Sequence, residues 1–530
     1  MNWRGEETIR PGTSIAPGSA FVIVLILAFM SLACWSFADP LVAAPDEQSH
    51  LLHAYALDHG QLGTATIPPS KVVVNVSVPT SLYFAAIYPI CWHQHESVSA
   101  TCSAPWPTSR LAVTVPIYVD HYPPLYYLVV GTATYVSQER SGIYMMRLIS
   151  CLMGALMLAV AAYAIARWSR RRALYAAMYI ALTPEVYFLS SSINPSGFET
   201  MTSICLWTLV AIFALEYRLK PPRELVVLLG IVASIFILIR GLSPVWVALA
   251  GVVLIFLCGP RELFQLVRAR RDLRIAGVSI VAVGVLALTW ILTQGTLNIL
   301  PVGNAVPKNA SLASVIHIVS SYIQGWIRQM IGILGWLDTE LNGYVYRSWY
   351  TIVIGVLVLA LWRGNWRERT VVATLSALVV LVPLALVTRQ AKTLGVVWQG
   401  RDTLPLAVGA LIMAIAVASG PLRHRALRAT DRLRPVLRDR VARTILVGVI
   451  AELAVGNMLA FYINLRRYAV GRYGPSLFFL HHEGWSPPTG QLLTLLVYGL
   501  TTTVFAAILM LWLWFSPAPT ESSALFGREV

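Results

Sequence analysis

The sequence predicts an all-α polytopic membrane protein forming a single domain over residues 1–530. Three observations carry that expectation. Of the 530 residues, 57% are hydrophobic and only 12% charged, whereas a soluble chain is about one-quarter charged. Apolar runs of about 18 residues or more, long enough to cross a hydrocarbon core, recur from one end to the other. Five short loops between those runs, Arg167–Arg172, Tyr217–Glu224, Gly259–Arg274, Arg363–Arg369 and Pro421–Arg443, hold 4, 3, 5, 3 and 8 basic residues, 23 of the 40 in the chain. By the positive-inside rule those loops share the cytoplasmic side. The net charge of +15 is then a matter of topology, a basic face resting on anionic lipid, and nucleic acid is not needed to explain it.

With the N-terminal tail inside, the first span covers about Ser19–Phe37 and is read as uncleaved. Pro45 stops any helix running straight on, and Asp46 and Glu47 open an outer loop over residues 39–141. The next span is about Gly142–Ala166. An apolar stretch from Tyr122 to Val136 is short for a crossing, and counting it as one would put Arg167–Arg172 outside; it is read as a juxtamembrane helix dipping into the outer leaflet. Spans three to seven follow at about Ala173–Ser190, a return to Leu215, Leu225–Ile239, a return to Leu257, and Ile275–Leu292. A second outer loop, residues 293–347, carries a surface helix over about Ser314–Leu334. Spans eight to twelve are about Ser348–Trp362, Thr370–Val387, Leu404–Ala418, Ile445–Ile463 and Gln491–Phe515. Twelve spans place every strongly basic loop inside. No soluble C-terminal domain is expected, nor the paired broken helices of transporter repeats.

Of the six cysteines, Cys34, Cys151, Cys205 and Cys258 fall within apolar runs. Cys91 and Cys102 share the first outer loop, which suits a disulfide in an oxidising compartment.

Under this topology the unusual polar residues gather at outer helix ends: Asp46, Glu47, His50, Asp120, His121, Asn194, Glu199, Arg240, Asp338, Arg389, Lys392, Arg401 and Asp402. Charges beside hydrocarbon are costly and mark function, although outer loops are also simply wet and polar. A carboxylate among cations suits a general base that deprotonates an acceptor hydroxyl while Arg and Lys stabilise a departing phosphate. The substrate this implies is a sugar on a lipid phosphate. No P-loop, Rossmann fingerprint or zinc-ligand spacing is present.

Five elements carry a resemblance. They are Pro45-Asp46-Glu47 with His50; Tyr122-Pro123-Pro124-Leu125-Tyr126; Asn194-Pro195-Ser196-Gly197-Phe198-Glu199; Gly335-Trp336-Leu337-Asp338-Thr339; and Gln399-Gly400-Arg401. In this order they resemble the bacterial domain of unknown function 2142 family, grouped with the GT-C superfamily of glycosyltransferases that use polyprenyl-phosphate sugars. Ser196 stands where that family often has Asp, and Asp402 where an aromatic is frequent. The resemblance implies an inverting-type transferase, in a bacterial plasma membrane, with an extracytoplasmic active site. Its donor would be a polyprenyl-phosphate sugar, and arabinofuranose and mannose are the candidates suggested by the Ala/Val/Arg-rich composition. The acceptor would be a cell-envelope glycan or glycolipid.

By the same resemblance Asp46 is first choice for the base and Glu47 second, with an idle interface carboxylate as the alternative for Glu47. His50 assists the acid pair, holds a divalent cation with Glu47, or is structural. Arg401 is first choice for the donor phosphate, ahead of Arg240, Arg389 and Lys392, unless it pairs with Asp402 or Asp338. Glu199 and Asn194 orient the sugar, or Asn194 caps its helix; His121 and Asp338 complete the substrate-binding set. Two other function classes stay open: a lipid-linked sugar flippase, and a non-catalytic subunit of an envelope complex.

Overall fold

The computed structural model describes residues 15–61, 74–119, 121–297, 306–420 and 433–515. Asp120, both tails and most of the Pro421–Arg443 loop, all used in the topology above, lie outside the described residues. The chain opens with α1 (Pro17–Ala38), a proline in its first turn where no amide donor is needed. The first outer segment folds as α2 (Glu47–Asp58), β1 (Val74–Pro79), α3 (Thr80–Ile87), β2 (Ala112–Ile117), α4 (Leu125–Val130) and α5 (Ala133–Val136). The helical half follows with α6 (Arg140–Trp168), α7 (Ala173–Ala181), α8 (Pro184–Ser190), α9 (Pro195–Ile212), α10 (Arg223–Ile237), α11 (Ser243–Cys258), α12 (Pro260–Ala269) and α13 (Arg271–Gln294). The second outer segment holds α14 (Leu312–Ser320), α15 (Ile323–Gly332) and the two-residue strands β3 (Ile333–Leu334) and β4 (Thr339–Glu340). The chain ends in α16 (Gly343–Arg363), α17 (Trp366–Leu394), α18 (Gly400–Ala418), α19 (Leu433–Val470), α20 (Phe478–His481) and α21 (Gln491–Phe515).

Polar contacts sort cleanly between the two ends of this bundle. At one end the basic loops hold one another: Ser169 donates to Glu216 and Arg270 to the Pro221 carbonyl, both at 2.5 Å, Arg363 to Gly420 at 2.8 Å, and Arg443 to Trp514 at 2.7 Å. At the other end Ile193 N–H reaches Glu47, Arg240 reaches Asp402, Thr296 reaches the His121 carbonyl and Arg467 reaches Asp338. Helices lie at each of the twelve stretches expected to span.

By length and apolarity fewer than twelve of these helices qualify as full spans. Among the described residues nine helices are long and apolar enough to cross a membrane, or ten if α11 and α12, bent by 101°, count as one. The third pass is broken between α7 and α8, where Pro184 cannot donate into a continuing helix. The fifth, α10, has 15 residues; at 1.5 Å per residue that is about 23 Å, short of the ~30 Å hydrocarbon core. The chain is a multi-pass membrane protein.

Two helices lie innermost. Every residue of α9 is buried, as is nearly all of α18, whereas α13 buries only Ala287 and Ile291 and turns the rest outward. The juxtamembrane helix expected before Val136 is present as α4 and α5. The surface helix expected over Ser314–Leu334 is instead two helices, parted at Ser321-Tyr322. The antiparallel pair β1–β2, with Val74 opposite Ile117 and Pro79 opposite Ala112, was not foreseen; Val74, Val76 and Val78 point inward while Asn75 and Ser77 are exposed. Cys91 and Cys102 form a disulfide with Cα atoms 6.1 Å apart.

Candidate active site

Two neighbouring carboxylates at the exit of α1 have opposite surroundings. The side chain of Glu47 is wholly buried and clasped by Arg147 of α6, Nε to Oε1 and Nη2 to Oε2 both at 2.7 Å. Oε1 also accepts the Ile193 N–H at 3.0 Å. Arg147 spends its other N–H groups on the Ser36, Asp39 and Pro40 carbonyls, at 2.8, 3.0 and 2.8 Å. A guanidinium has five N–H donors, and here each has an acceptor. The pair is thus a pin that fixes the turn after α1, and it leaves no lone pair of Glu47 turned to a ligand.

Asp46 is different. It occupies the N-cap position of α2 with φ 65°, and its side chain keeps 27% of its surface. Asp tolerates this left-handed conformation, but Val42, four residues earlier, shares it at φ 60°, which a β-branched residue adopts only under constraint. The constraint is visible: Arg147 grips the Asp39 and Pro40 carbonyls, and the Trp336 indole donates to the Val42 carbonyl at 3.2 Å.

The Asp46 carboxylate accepts from the Tyr118 hydroxyl at 2.8 Å and from Arg401 Nη2. Burial, the largest influence, raises its pKa, and the charges and hydrogen bonds around the carboxylate, Arg401 foremost among them, together bring the group below the usual carboxylate range. The Pro45 carbonyl beside it accepts from both Arg401 Nη1 and Asn194 Nδ2, each at 3.2 Å. Asn194 also accepts the Ser196 N–H at 3.0 Å, so it caps α9 and tethers the Asp46 turn at once.

A second guanidinium lies alongside. Arg240, between α10 and α11, donates to Glu199 Oε2 at 3.2 Å and to Asp402 Oδ1 at 3.0 Å, while Ser243 donates to Glu199 Oε1 at 2.6 Å. Asp402 is also bound by the Gln399 N–H at 3.0 Å, closing the first turn of α18. Three carboxylates and two guanidinia thus meet where α2, α9, α11 and α18 begin. Small residues allow that meeting: a Cβ on Gly400 would sit 2.5 Å from the Trp326 carbonyl, and one on Gly197 as close to that of Leu189.

Aromatic and imidazole rings wall the cluster. Arg240 lies 5.9 Å from the Tyr122 ring, and His50 lies 5.9 Å from the rings of both Tyr122 and Tyr127. His50 Nδ1 is bonded to the Tyr127 hydroxyl at 2.9 Å. Burial pushes the His50 imidazole down to about 3, against the pull of Asp46 and with Arg401 and Arg240 adding to it. His53, packed 4.4 Å from the Tyr127 ring, is pushed down to about 3 by the same burial. Both are neutral at pH 7.

The remaining expected residues take other places. Asp338 accepts from Arg467 at 2.8 Å, and Arg467 also holds the Trp92, His95 and Val98 carbonyls, so Asp338 anchors the second outer segment on the first. His121 is buried, its carbonyl bonded by Trp290 and Thr296. Arg389 and Lys392 stand on the last turns of α17, and among the described residues neither is bonded to the cluster. As for a divalent cation on His50 and Glu47, the residues do not fit one: both Glu47 oxygens are taken up by Arg147 and by the Ala44 and Ile193 N–H groups. Among the described residues no group of three His, Cys, Asp or Glu side chains is placed to hold a metal.

Arg147, Tyr118 and Ser243 were absent from the expected set, and Asp402 was expected as an outer-end polar residue and a possible partner of Arg401, whereas it pairs with Arg240. Arg147 had a usable signal, a lone charge inside an apolar run; Tyr118 had none.

A family described as "Predicted membrane protein (DUF2142)" matches residues 29–410. None of the curated proteins compared matches the chain. Among solved structures the chain is similar to ArnT from Cupriavidus metallidurans, bound to undecaprenyl phosphate or in the apo state. Each comparison gives 14% identity and a TM-score of 0.40, and covers 93% of this chain and 76% of that one.

Proposed function

Starting from the chain's membership of the DUF2142 family of membrane proteins, we propose that it is an inverting glycosyltransferase. It moves a sugar from a polyprenyl-phosphate donor to an envelope glycan or glycolipid at the outer face of the bacterial plasma membrane. One observation carries the reading: the partly exposed Asp46 carboxylate is paired with Arg401, beside the second guanidinium of Arg240, where the chain leaves hydrocarbon.

In the reaction the acceptor oxygen attacks the anomeric carbon as the bond from that carbon to the phosphate oxygen breaks. The acceptor proton passes to Asp46, and the phosphate leaves carrying the bonding electron pair. Its negative charge grows as the bond lengthens, and fixed guanidinia stabilise growing charge best where water is excluded. An arriving phosphate competes with Asp46 for Arg401. As it takes over that cation, Asp46 loses the partner that depresses its pKa and becomes a better proton acceptor. Glu47 serves as the pin of the corner, not as base. Glu199 and Asp402 orient Arg240, and Tyr122 and His50 bound the sugar.

The test is turnover. Purified protein is incubated with synthetic polyprenyl-phosphate arabinofuranose or mannose and an acceptor glycan, and released polyprenyl phosphate is followed by mass spectrometry. Asp46→Asn is expected to slow release by about 10²–10⁴-fold, the range for loss of a general base, in a protein that still folds. Near-normal turnover by that variant would remove Asp46 as base. Translocation without turnover in the wild-type protein would favour a flippase.

A further inference from the structure

A cleft of about 290 Å³ opens at the same end of the bundle as Asp46, lined by none of the residues of the ion cluster. Its walls bring together Tyr88 just past α3, Thr101 inside the disulfide loop, Ser103 and Trp106 just beyond it, Arg140 at the start of α6, and Trp485 before α21. Tyr88 and Trp106 pack with centroids 5.1 Å apart, and Phe84 backs Trp106 edge-on at 5.3 Å. The Trp106 indole N–H has no hydrogen-bond partner among the described residues.

The loop that builds this cleft has little regular structure and is nonetheless tightly held. Cys91 and Cys102 close it covalently. Arg467 binds three of its carbonyls, and Ser99 donates to the Ala469 carbonyl at 2.5 Å. Ser103 accepts from the Trp92 indole at 2.8 Å and donates to the Tyr88 carbonyl at 3.3 Å. On the opposite wall the Trp485 N–H is bonded to Ala469 at 2.9 Å, and its carbonyl to Gln491 at 2.8 Å. A pre-shaped site binds more tightly because ordering costs are already met.

The chemistry of the walls narrows the ligand. Rigid aromatic faces offer large contact area with polar tips, and here they stand beside a guanidinium and two hydroxyls. Flat aromatic faces beside a guanidinium that donates and hydroxyl oxygens that can still accept match a sugar ring, whose C–H faces stack while its hydroxyls bond at the rim. A lipid tail would not use Arg140, Thr101 and Ser103. A protein partner needs about 800 Å² of its surface buried, far more than so small a concavity offers.

We propose that this cleft binds one saccharide unit of an extended glycan on the face that carries Asp46. Its role as a subsite for long acceptors rests on the transferase reading; glycan binding itself does not. The full chain, purified in a detergent without a sugar head group, is titrated calorimetrically with manno-, arabino- and galacto-tetrasaccharides. At least one is expected to bind wild type and Asp46→Asn alike, and to bind Trp106→Ala and Ala104→Trp at least tenfold more weakly. Ala104 is an exposed lining residue, so Ala104→Trp fills the cleft without opening the core and carries the test if Trp106→Ala misfolds. No binding by wild type, or binding indifferent to Ala104→Trp, overturns the proposal. Binding without turnover would sustain the cleft while sinking the transferase; turnover without binding would do the reverse.

Discussion

Replacing Arg147 by Met tests whether Glu47 is a pin or a catalytic group. Arg147→Met keeps the volume and removes five hydrogen bonds, two to Glu47 and three to the carbonyls of Ser36, Asp39 and Pro40. The larger consequence is a carboxylate left fully buried with no countercharge. Removing one partner of a buried pair costs about 3–5 kcal/mol, and much of that belongs to the stranded charge. Glu47→Gln added to Arg147→Met neutralises that charge while its Oε1 can still accept the Ile193 N–H. The double variant should therefore lose less than the two single variants combined, by about 1–3 kcal/mol, the usual coupling of residues in contact. Denaturant titration in detergent, followed by tryptophan fluorescence on all four proteins, gives the cycle. Costs below ~1 kcal/mol that simply add would refute the pin. A well-folded Glu47→Gln protein with no turnover would instead make Glu47 the base.

Three further outcomes follow from the same geometry. Because Arg401 holds Asp46 below the ordinary carboxylate range, the stabilisation from this pair is complete above about pH 4 and lost as the pH falls through the depressed value; the stability gap between wild type and Asp46→Asn should close on acidification, and a widening gap would contradict the pairing. Arg401→Lys cannot span Asp46 and the Pro45 carbonyl together, so apparent donor KM should rise about tenfold, or ~1.4 kcal/mol, in initial-rate assays. Gly400→Ala places a methyl 2.5 Å from the Trp326 carbonyl and should cost about 1–3 kcal/mol by overpacking, whereas Gly277→Ala, with nothing within 4 Å, should be silent in the same thermal melt.

Much of the path of the chain was legible because hydropathy and basic loops act locally. Span length is set by what each run must cross, and loop charge by which side it faces, so helices lie at the twelve expected stretches. The break at Pro184 was harder, since an apolar run looks continuous until packing decides where its helix stops. Asp46, Arg401, Glu199 and Arg240 were named as polar residues of one face, and the structure brings those four together. Their partners were not legible. Glu47 and Arg147 are 100 residues apart, Arg240 and Asp402 162, and Asp46 and Arg401 355. Sequence shows that charges need neutralising, but the choice of partner is made by helices meeting in three dimensions. Thus Asp338, expected among the substrate ligands, is bonded by Arg467, and Arg389 and Lys392, expected for the phosphate, stand on the last turns of α17 with no bond to the cluster among the described residues.

Those separations also set a timetable for synthesis. At about 5–20 residues per second, Arg147 emerges roughly 5–20 s after Glu47, so the corner behind α1 can lock early. Arg401 follows Asp46 by 355 residues, roughly 18–70 s at the same rate. During that wait Asp46 stands at the membrane surface already aimed by its pinned neighbour, yet without its cation. The nascent protein therefore carries Asp46 before its cation, and the pair is completed only as α18 is delivered.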